Sequence, residues 1–334
     1  MQNHFEQMIL NMPDQFRPGQ NTLLDTNRLR GAKPDALVFC GMGGSGIPAT
    51  ILQNIAEYAI MNLPVIVWKD FGLPRLPYKN PLFVFVSFSG NTAETLSGFA
   101  LAGKTLPAGR QVRAVVTAGG MLLDKATKGK LPRAVIPPLA IVPRQASGLL
   151  LYGILELLQT IVPNLSCPDL SRSIDPATLE PIGKALAKKL KGNNVLIYTS
   201  TSENHFASIF KIQLTETSKT PTFCNTYPEI NHIEIVGYDR KPKGLVSLFP
   251  VTEYEPTITK QLITIEQSVL KQRGITPITI SIPGKTPLET AANALVLANW
   301  TGYHLAKLNR VDPEKTGTID EIKTILKKYG LSKQ

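Results

Sequence analysis

Cysteine and histidine are scarce in this chain. Its 334 residues hold three cysteines, Cys40, Cys167 and Cys224, and four histidines. The cysteines are odd in number, far apart and without metal-ligand spacing. A disulfide framework and a cysteine-based metal site are therefore not expected, and a reducing cytoplasmic setting fits. No apolar run approaches the roughly 20 residues that span a bilayer, so no membrane partner is expected. The opening stretch MQNHFEQMILNMPDQF is amphipathic and lacks a basic n-region, so it does not read as a secretory signal. An acidic balance is also lacking: the formal net charge is +11. The lysines and arginines are scattered, and the densest cluster, KTILKKYGLSK, reads as a solvated helix face. Without an aromatic-interleaved basic patch no nucleic-acid partner is expected, and attraction of small anionic substrates is an equally good use of the charge.

Residues 83–95, FVFVSFSGNTAET, carry the strongest signal. A buried-type strand at 83–86 runs into Ser87, Ser89, Gly90, Asn91, Thr92 and Thr95, then into an apolar-periodic helix. A helix N-terminus offers unpaired N–H groups and a positive dipole end, which suits an anion. With hydroxyls rather than a lysine around it, the expected ligand is a phosphomonoester that is held and not transferred. Ser87, Ser89 and Thr92 are the candidate phosphate-binding residues.

The chain is long enough for two domains of roughly 100–200 residues each. Apolar runs at 36–40, 64–68, 82–86, 113–117 and 134–138 alternate with helical patterns and predict a parallel sheet covered on both faces. Residues 162–176 are rich in Pro and Ser and read as a linker. The pattern then restarts, with strands at 194–199, 245–249 and 277–282 and helices at 177–189, 204–217, 258–272 and 288–308. NVLIYTSTSENH echoes ALVFCGMGGSGI. The expected fold is α/β, two doubly wound modules with parallel sheets flanked by helices, in domains 1–162 and 163–334, the second ending in a helical tail. Ligands of such sheets sit beyond the carboxyl ends of the strands.

GMGGSG at 41–46 satisfies the dinucleotide pattern G-x-G-x-x-G, with Asp70 as the acidic partner. That reading leaves the Ser/Thr loop without a role, so a sugar-phosphate site is favoured, with Gly44 allowing close backbone approach and Ser45 facing the sugar. GMGGSGI together with SFSGNTAETL resembles the sugar isomerase (SIS) domain. LTETSKTPTFCNTYPEINHIEIVGY at 214–238 resembles the "PE-x-NHNE" region of bifunctional phosphoglucose/phosphomannose isomerases. The resemblance covers nearly the whole chain and departs at Phe88, Thr215 and Ile233, where the family has Tyr, Asn and Asn; none of these removes a candidate catalytic group.

The resemblance implies an aldose–ketose isomerase acting on hexose 6-phosphates through a cis-enediolate. Glu216 matches the base that moves the proton between C2 and C1, and His232 the ring-opening histidine. Arg144, in IVPRQASG, matches an arginine that stabilises the enediolate oxygens. The ending VDPEKTGTIDEIKTILKK points to Lys323, or Lys327 one turn later, as a ring-opening lysine. Thr316 or Thr318 is the position associated with accepting mannose. Glu229 and Glu234 flank His232 as possible orienters. The resemblance also implies a homodimer with a shared active site. No cofactor and no metal is called for, since proton transfer of this kind is metal-free. Two rivals stand: a sugar-phosphate sensor without chemistry, and an amino-sugar isomerase or deaminase.

Overall fold

A computed structural model of the chain describes residues 4–56, 63–105, 113–139 and 141–329. Residues 106–112, LPAGRQV, lie outside the described residues. In chain order the elements are α1 (His4–Leu10), β1 (Thr22–Leu24), β2 (Ala36–Cys40), α2 (Ile47–Ala56), β3 (Val65–Trp68), β4 (Pro81–Ser87), α3 (Ala93–Thr105), β5 (Arg113–Thr117), α4 (Gly120–Lys128), β6 (Arg133–Val135) and α5 (Ser147–Gln159). They continue as α6 (Pro176–Leu190), β7 (Asn194–Ser200), α7 (Asn204–Ile212), β8 (Thr222–Tyr227), β9 (Leu245–Val251), α8 (Thr257–Gln272), β10 (Thr276–Ser281), α9 (Pro287–Asn309) and α10 (Gly317–Lys328).

The chain divides into two compact units, Met12–Arg172 with Thr316–Gln334, and Met1–Asn11 with Ser173–Lys315. The domains expected from the sequence, 1–162 and 163–334, drew a single boundary, whereas here both termini group with the other half of the chain. For the N-terminus the cause is packing. Phe5, Met8 and Ile9 of α1 are buried, Phe5 stacks on Tyr303 of α9 with centroids 5.8 Å apart, and the Tyr303 hydroxyl donates to Glu6 at 2.9 Å.

The unit built on residues 12–172 holds a six-stranded sheet of order β1-β6-β5-β4-β2-β3. All its pairs are parallel except β1 with β6. β4 lies between β2 and β5 and is buried along its whole length, which explains its unbroken apolar run. Phe83, Phe85, Phe99 and Val115 form the core on one face.

The unit built on residues 173–315 holds a four-stranded parallel sheet of order β10-β9-β7-β8. Taken by chain order, β2–β5 and β7–β10 adopt the same arrangement, fourth-third-first-second, so the repeat heard in the sequence is a repeat of topology. α9 is buried from Glu289 to Ala306, and it starts with Pro287 after Thr286, whose hydroxyl accepts from Glu289 N at 3.2 Å. No described helix is long and apolar enough to cross a membrane. β8 was not expected as a strand, because its residues 224–226 (CNT) are half-buried on a sheet edge and lack apolar alternation.

α6 and α9 pack at near-backbone distance: a Cβ on Gly183 would meet Trp300 Cβ at 2.7 Å. Gly183→Val should therefore lower the melting temperature by several degrees, the effect of about 1–3 kcal/mol of overpacking, measurable by calorimetry.

Candidate functional site

The crevice of the first sheet forms where the two loops after β2 and β4 meet. β2 and β4 are adjacent, yet their neighbours lie in opposite directions, the switch point at which ligands of such sheets sit. The loops are held at backbone distance. A Cβ on Gly41 would fall 2.9 Å from the carbonyl oxygens of Val86 and Ser45. Ser45 Oγ accepts from Phe88 N at 3.0 Å, which ties the glycine loop to the hydroxyl loop. Gly44 lies against the Pro143–Gln145 turn, where a Cβ would come 2.8 Å from Arg144 Cα.

The hydroxyls of this crevice divide their labour. Ser87 is buried; its Oγ pairs with Thr92 Oγ1 at 2.9 Å and accepts from Gly90 N at 3.1 Å. Ser89 is exposed and accepts from Asn91 N at 3.3 Å. Gly90, at φ 66°, lies so close to the next loop that a Cβ would stand 1.7 Å from Gly119 O. Thr92 immediately precedes α3, whose first-turn N–H groups face the same loop end. Gly44, Ser45, Ser87, Ser89, Thr92 and Arg144 are thus one assembly within a single unit.

Arg144 is buried, which excludes the alternative of a solvated surface arginine. Sequence reasoning missed its neighbour Gln145, which is fully buried and has no hydrogen-bond partner for either amide atom among the described residues. It also missed Lys69, whose Nζ donates to Thr50 at 3.3 Å and whose pKa burial lowers. Asp70, the candidate for a ribose, instead accepts from Phe71 N at 2.7 Å and caps its own turn. Lys323 stands on the exposed α10, paired with Asp320 at 3.5 Å. Thr316 reaches Asp320 at 3.5 Å, Thr318 is exposed, and the side chain of Lys327 lies outside the described residues.

Glu216 and His232 belong to the other unit. Glu216 is half-buried on Gln213–Thr217, a π-helical turn that prolongs α7 and is closed by Ser218 N to Gln213 O at 3.4 Å. Such wide turns recur at functional sites. Gly302 of α9 lies beneath it, where a Cβ would come 2.9 Å from Gln213 O. Lys219 Nζ donates to Glu216 O at 2.9 Å, and Asn309 Nδ2 to Ser218 O at 3.0 Å. His232 is exposed between two short 3-10 turns, Glu229–Asn231 and Glu234–Tyr238. The remaining histidines serve structure: His205 is buried and its pKa pushed down to about 3, while His4 and His304 pair with Glu314 and Glu180.

The equivalent crevice of the second sheet is acidic. At the ends of β7 and β9, Glu203 and Glu255 are both buried, and Ser200 Oγ donates to Glu255 at 2.9 Å. Burial, then the nearby Glu255, push Glu203 up to about 7. An anion suits the first crevice and not this one.

A curated protein of Aquifex aeolicus named bifunctional phosphoglucose/phosphomannose isomerase is 30% identical over 296 residues, 88% of this chain and 91% of its own. The chain belongs to the bifunctional phosphoglucose/phosphomannose isomerase family. A Caldicellulosiruptor bescii protein of the same name is 29% identical across 95% of this chain and 97% of its own. A Sulfolobus acidocaldarius relative, 30% identical across 86% of this chain and 88% of its own, is named D-glucosamine-6-phosphate 4-epimerase. Residues 180–326 match the family model described as the bacterial phospho-glucose isomerase C-terminal SIS domain. Among solved structures, the C-terminal domain of glucosamine-fructose-6-phosphate aminotransferase from Francisella tularensis aligns with TM-score 0.66 at 12% identity, over 95% of this chain and 99% of its own, a likeness of fold.

Two measurements test this geometry. Gly90→Ala should lower the melting temperature and weaken inorganic phosphate binding together, because its Cβ has no room. Glu203 is raised in the folded state, so its contribution is present below the unfolded carboxylate range near 4.5 and lost as pH rises through about 7. Glu203→Gln should therefore raise the melting temperature at pH 8 and change it little at pH 4.

Proposed function

We propose that this chain is an aldose–ketose isomerase that interconverts glucose 6-phosphate and mannose 6-phosphate with fructose 6-phosphate. The observation that carries the reading is family membership across most of the chain, joined to a hydroxyl-lined loop at a helix N-terminus. In this reading the phosphate dianion is held by the Ser87, Ser89 and Thr92 loop with Ser45 and Gly44, and is never transferred. His232, assisted by Lys323, opens the ring: the imidazolium gives a proton to the ring oxygen as the C1–O5 bond breaks, and the resulting imidazole takes up the anomeric hydroxyl proton. Glu216 takes the C2 proton and returns it to C1, while the Arg144 guanidinium stabilises the enediolate oxygens. Lys327 is the alternative lysine, and Thr316 or Thr318 the residue that leaves room for rotation about C2–C3. Each parallel sheet corresponds to one SIS module.

A homodimer in the cytoplasm completes the proposal. His232 is exposed beside Ile233 and Val236, 62% and 65% exposed, and Phe223 of the sheet-edge strand β8 is 57% exposed. Large exposed apolar side chains on the unit that carries a catalytic candidate fit a surface covered by a second copy. Three cysteines, odd in number and far apart in sequence, support the reading of a reducing compartment.

The amino-sugar reading has one specific support, the Sulfolobus relative named as an epimerase. A coupled assay decides between them. Purified protein is given fructose 6-phosphate without added metal, and glucose and mannose 6-phosphates are followed separately. Formation of both is the expected outcome. Binding without product would favour the sensor, and turnover only of an aminated substrate the amino-sugar reading. Glu216→Gln should abolish proton exchange at C2, by at least about 10³-fold, with sugar-phosphate binding nearly intact; retained turnover in that variant would falsify the assignment. Val236→Asp should shift the sedimentation coefficient from dimer to monomer.

A further inference from the structure

The segment that carries His232 is pinned on both sides. Ile230 is buried before it and Tyr238 after it. Between them the polar anchor is Glu234, half-buried two residues beyond the histidine. One carboxylate oxygen of Glu234 accepts from the Tyr198 hydroxyl at 2.5 Å and from the Tyr238 hydroxyl. The other accepts from Asn225 Nδ2 at 2.8 Å. The three donors come from β7, from the edge strand β8 and from the end of the segment itself. The two tyrosine oxygens lie in contact with each other, each hydroxyl spending its single proton on the shared carboxylate oxygen. Burial first, and the Glu234 contacts with it, raise the pKa of both tyrosines, which keeps them protonated as donors. From α8, the buried Glu266 interacts with Glu234 and has its own pKa raised, chiefly by burial.

We propose that Glu234 is a positioning residue. Its carboxylate fixes the backbone after His232 and thereby the reach of the imidazole to the ring oxygen of the bound sugar. The inference rests on the reading of His232 as the ring-opening acid. Hydrogen bonds to a charged acceptor are about twice as strong as neutral ones, and the ionised carboxylate can satisfy three donors that a neutral amide cannot. Loosening the segment would misplace the imidazole, and misplacement of about 1 Å costs rate rather than binding.

The test compares His232→Ala, Glu234→Gln and Asn225→Ala with the wild type. Two substrates are used: glucose 6-phosphate and a four-carbon aldose 4-phosphate, which cannot close a ring and bypasses ring opening. Glu234→Gln is expected to lower kcat on glucose 6-phosphate about tenfold with KM within about twofold, the signature of lost orientation, and to leave solvent-deuterium uptake at C2 of the short aldose unchanged. Asn225→Ala removes one donor and should act in the same direction, by about threefold; it decides alone if Glu234→Gln does not fold. Wild-type kinetics in both variants beside an impaired His232→Ala would overturn the positioning role and leave the isomerase reading intact. Equal losses on both substrates, or a rise in KM with kcat held, would also overturn it. An unimpaired His232→Ala would remove the ring-opening role of His232 and this inference with it.

Discussion

The crevice of the first sheet depends on backbone approaching backbone. Where the loops after β2, β4 and β5 meet, Gly41 and Gly90 leave no Cβ to keep the backbones apart. That closeness lets a single hydroxyl, Ser45 Oγ, reach the amide of Phe88. It also forces much of the hydroxyl loop to serve its own shape: Ser87 is committed to Thr92 and Gly90. In the proposed reading the exposed Ser89, the Thr92 end and the first turn of α3 meet the phosphate first, with Ser87 acting through Thr92 and Ser45 and Gly44 closing the cradle. A neutral, preorganised loop of this kind is suited to a dianion and offers no group to attack it, which is what the proposed phosphate site requires.

The same strand order carries the opposite electrostatics in the second sheet. At the end of β7, Ser200 donates to the carboxylate of Glu255, and Glu203 is buried beside it. The hydroxyl thus meets a carboxylate supplied by the chain itself. A phosphate there would face two acidic groups in a poorly solvated place, where like charges repel strongly. Topology alone does not make a phosphate site: in this chain one copy of the motif presents neutral hydroxyls and the other presents carboxylates.

Much of this was legible in the sequence. The FVFV run, the hydroxyls after it and the glycine loop marked β4 and the two strand-end loops, since each is a pattern within about ten residues, whereas the strand order that makes their meeting a switch point is not. The features that were not legible depend on distant partners. Residues 213–217 read as ordinary helix; the π-helical turn is packed over Gly302, some ninety residues away. β8 was hidden because an edge strand has no need of apolar alternation. The placement of α1 turns on Tyr303, and the acidity of the second crevice on the meeting of Glu203 with Glu255. No local window contains either pair. The candidate residues Glu216, His232 and Lys323 came from a motif, and composition or periodicity would have left them as solvated side chains.

The two acid–base candidates are supported in different ways, and the chemistry gives a reason. A base that moves a proton between adjacent carbons must hold its position to a fraction of an ångström through the enediolate. Glu216 has such a mount: Lys219 and Asn309 bond to the backbone of its turn, and α9 packs beneath it. A ring-opening acid acts earlier, on a substrate that is still exchanging its closed and open forms, and an exposed segment can serve it if its backbone is anchored. The His232 segment has the form the proposed acid needs, exposed at the histidine but followed by Glu234, which three donors hold. Rigid support for the base and an anchored crest for the acid are what the two steps separately require.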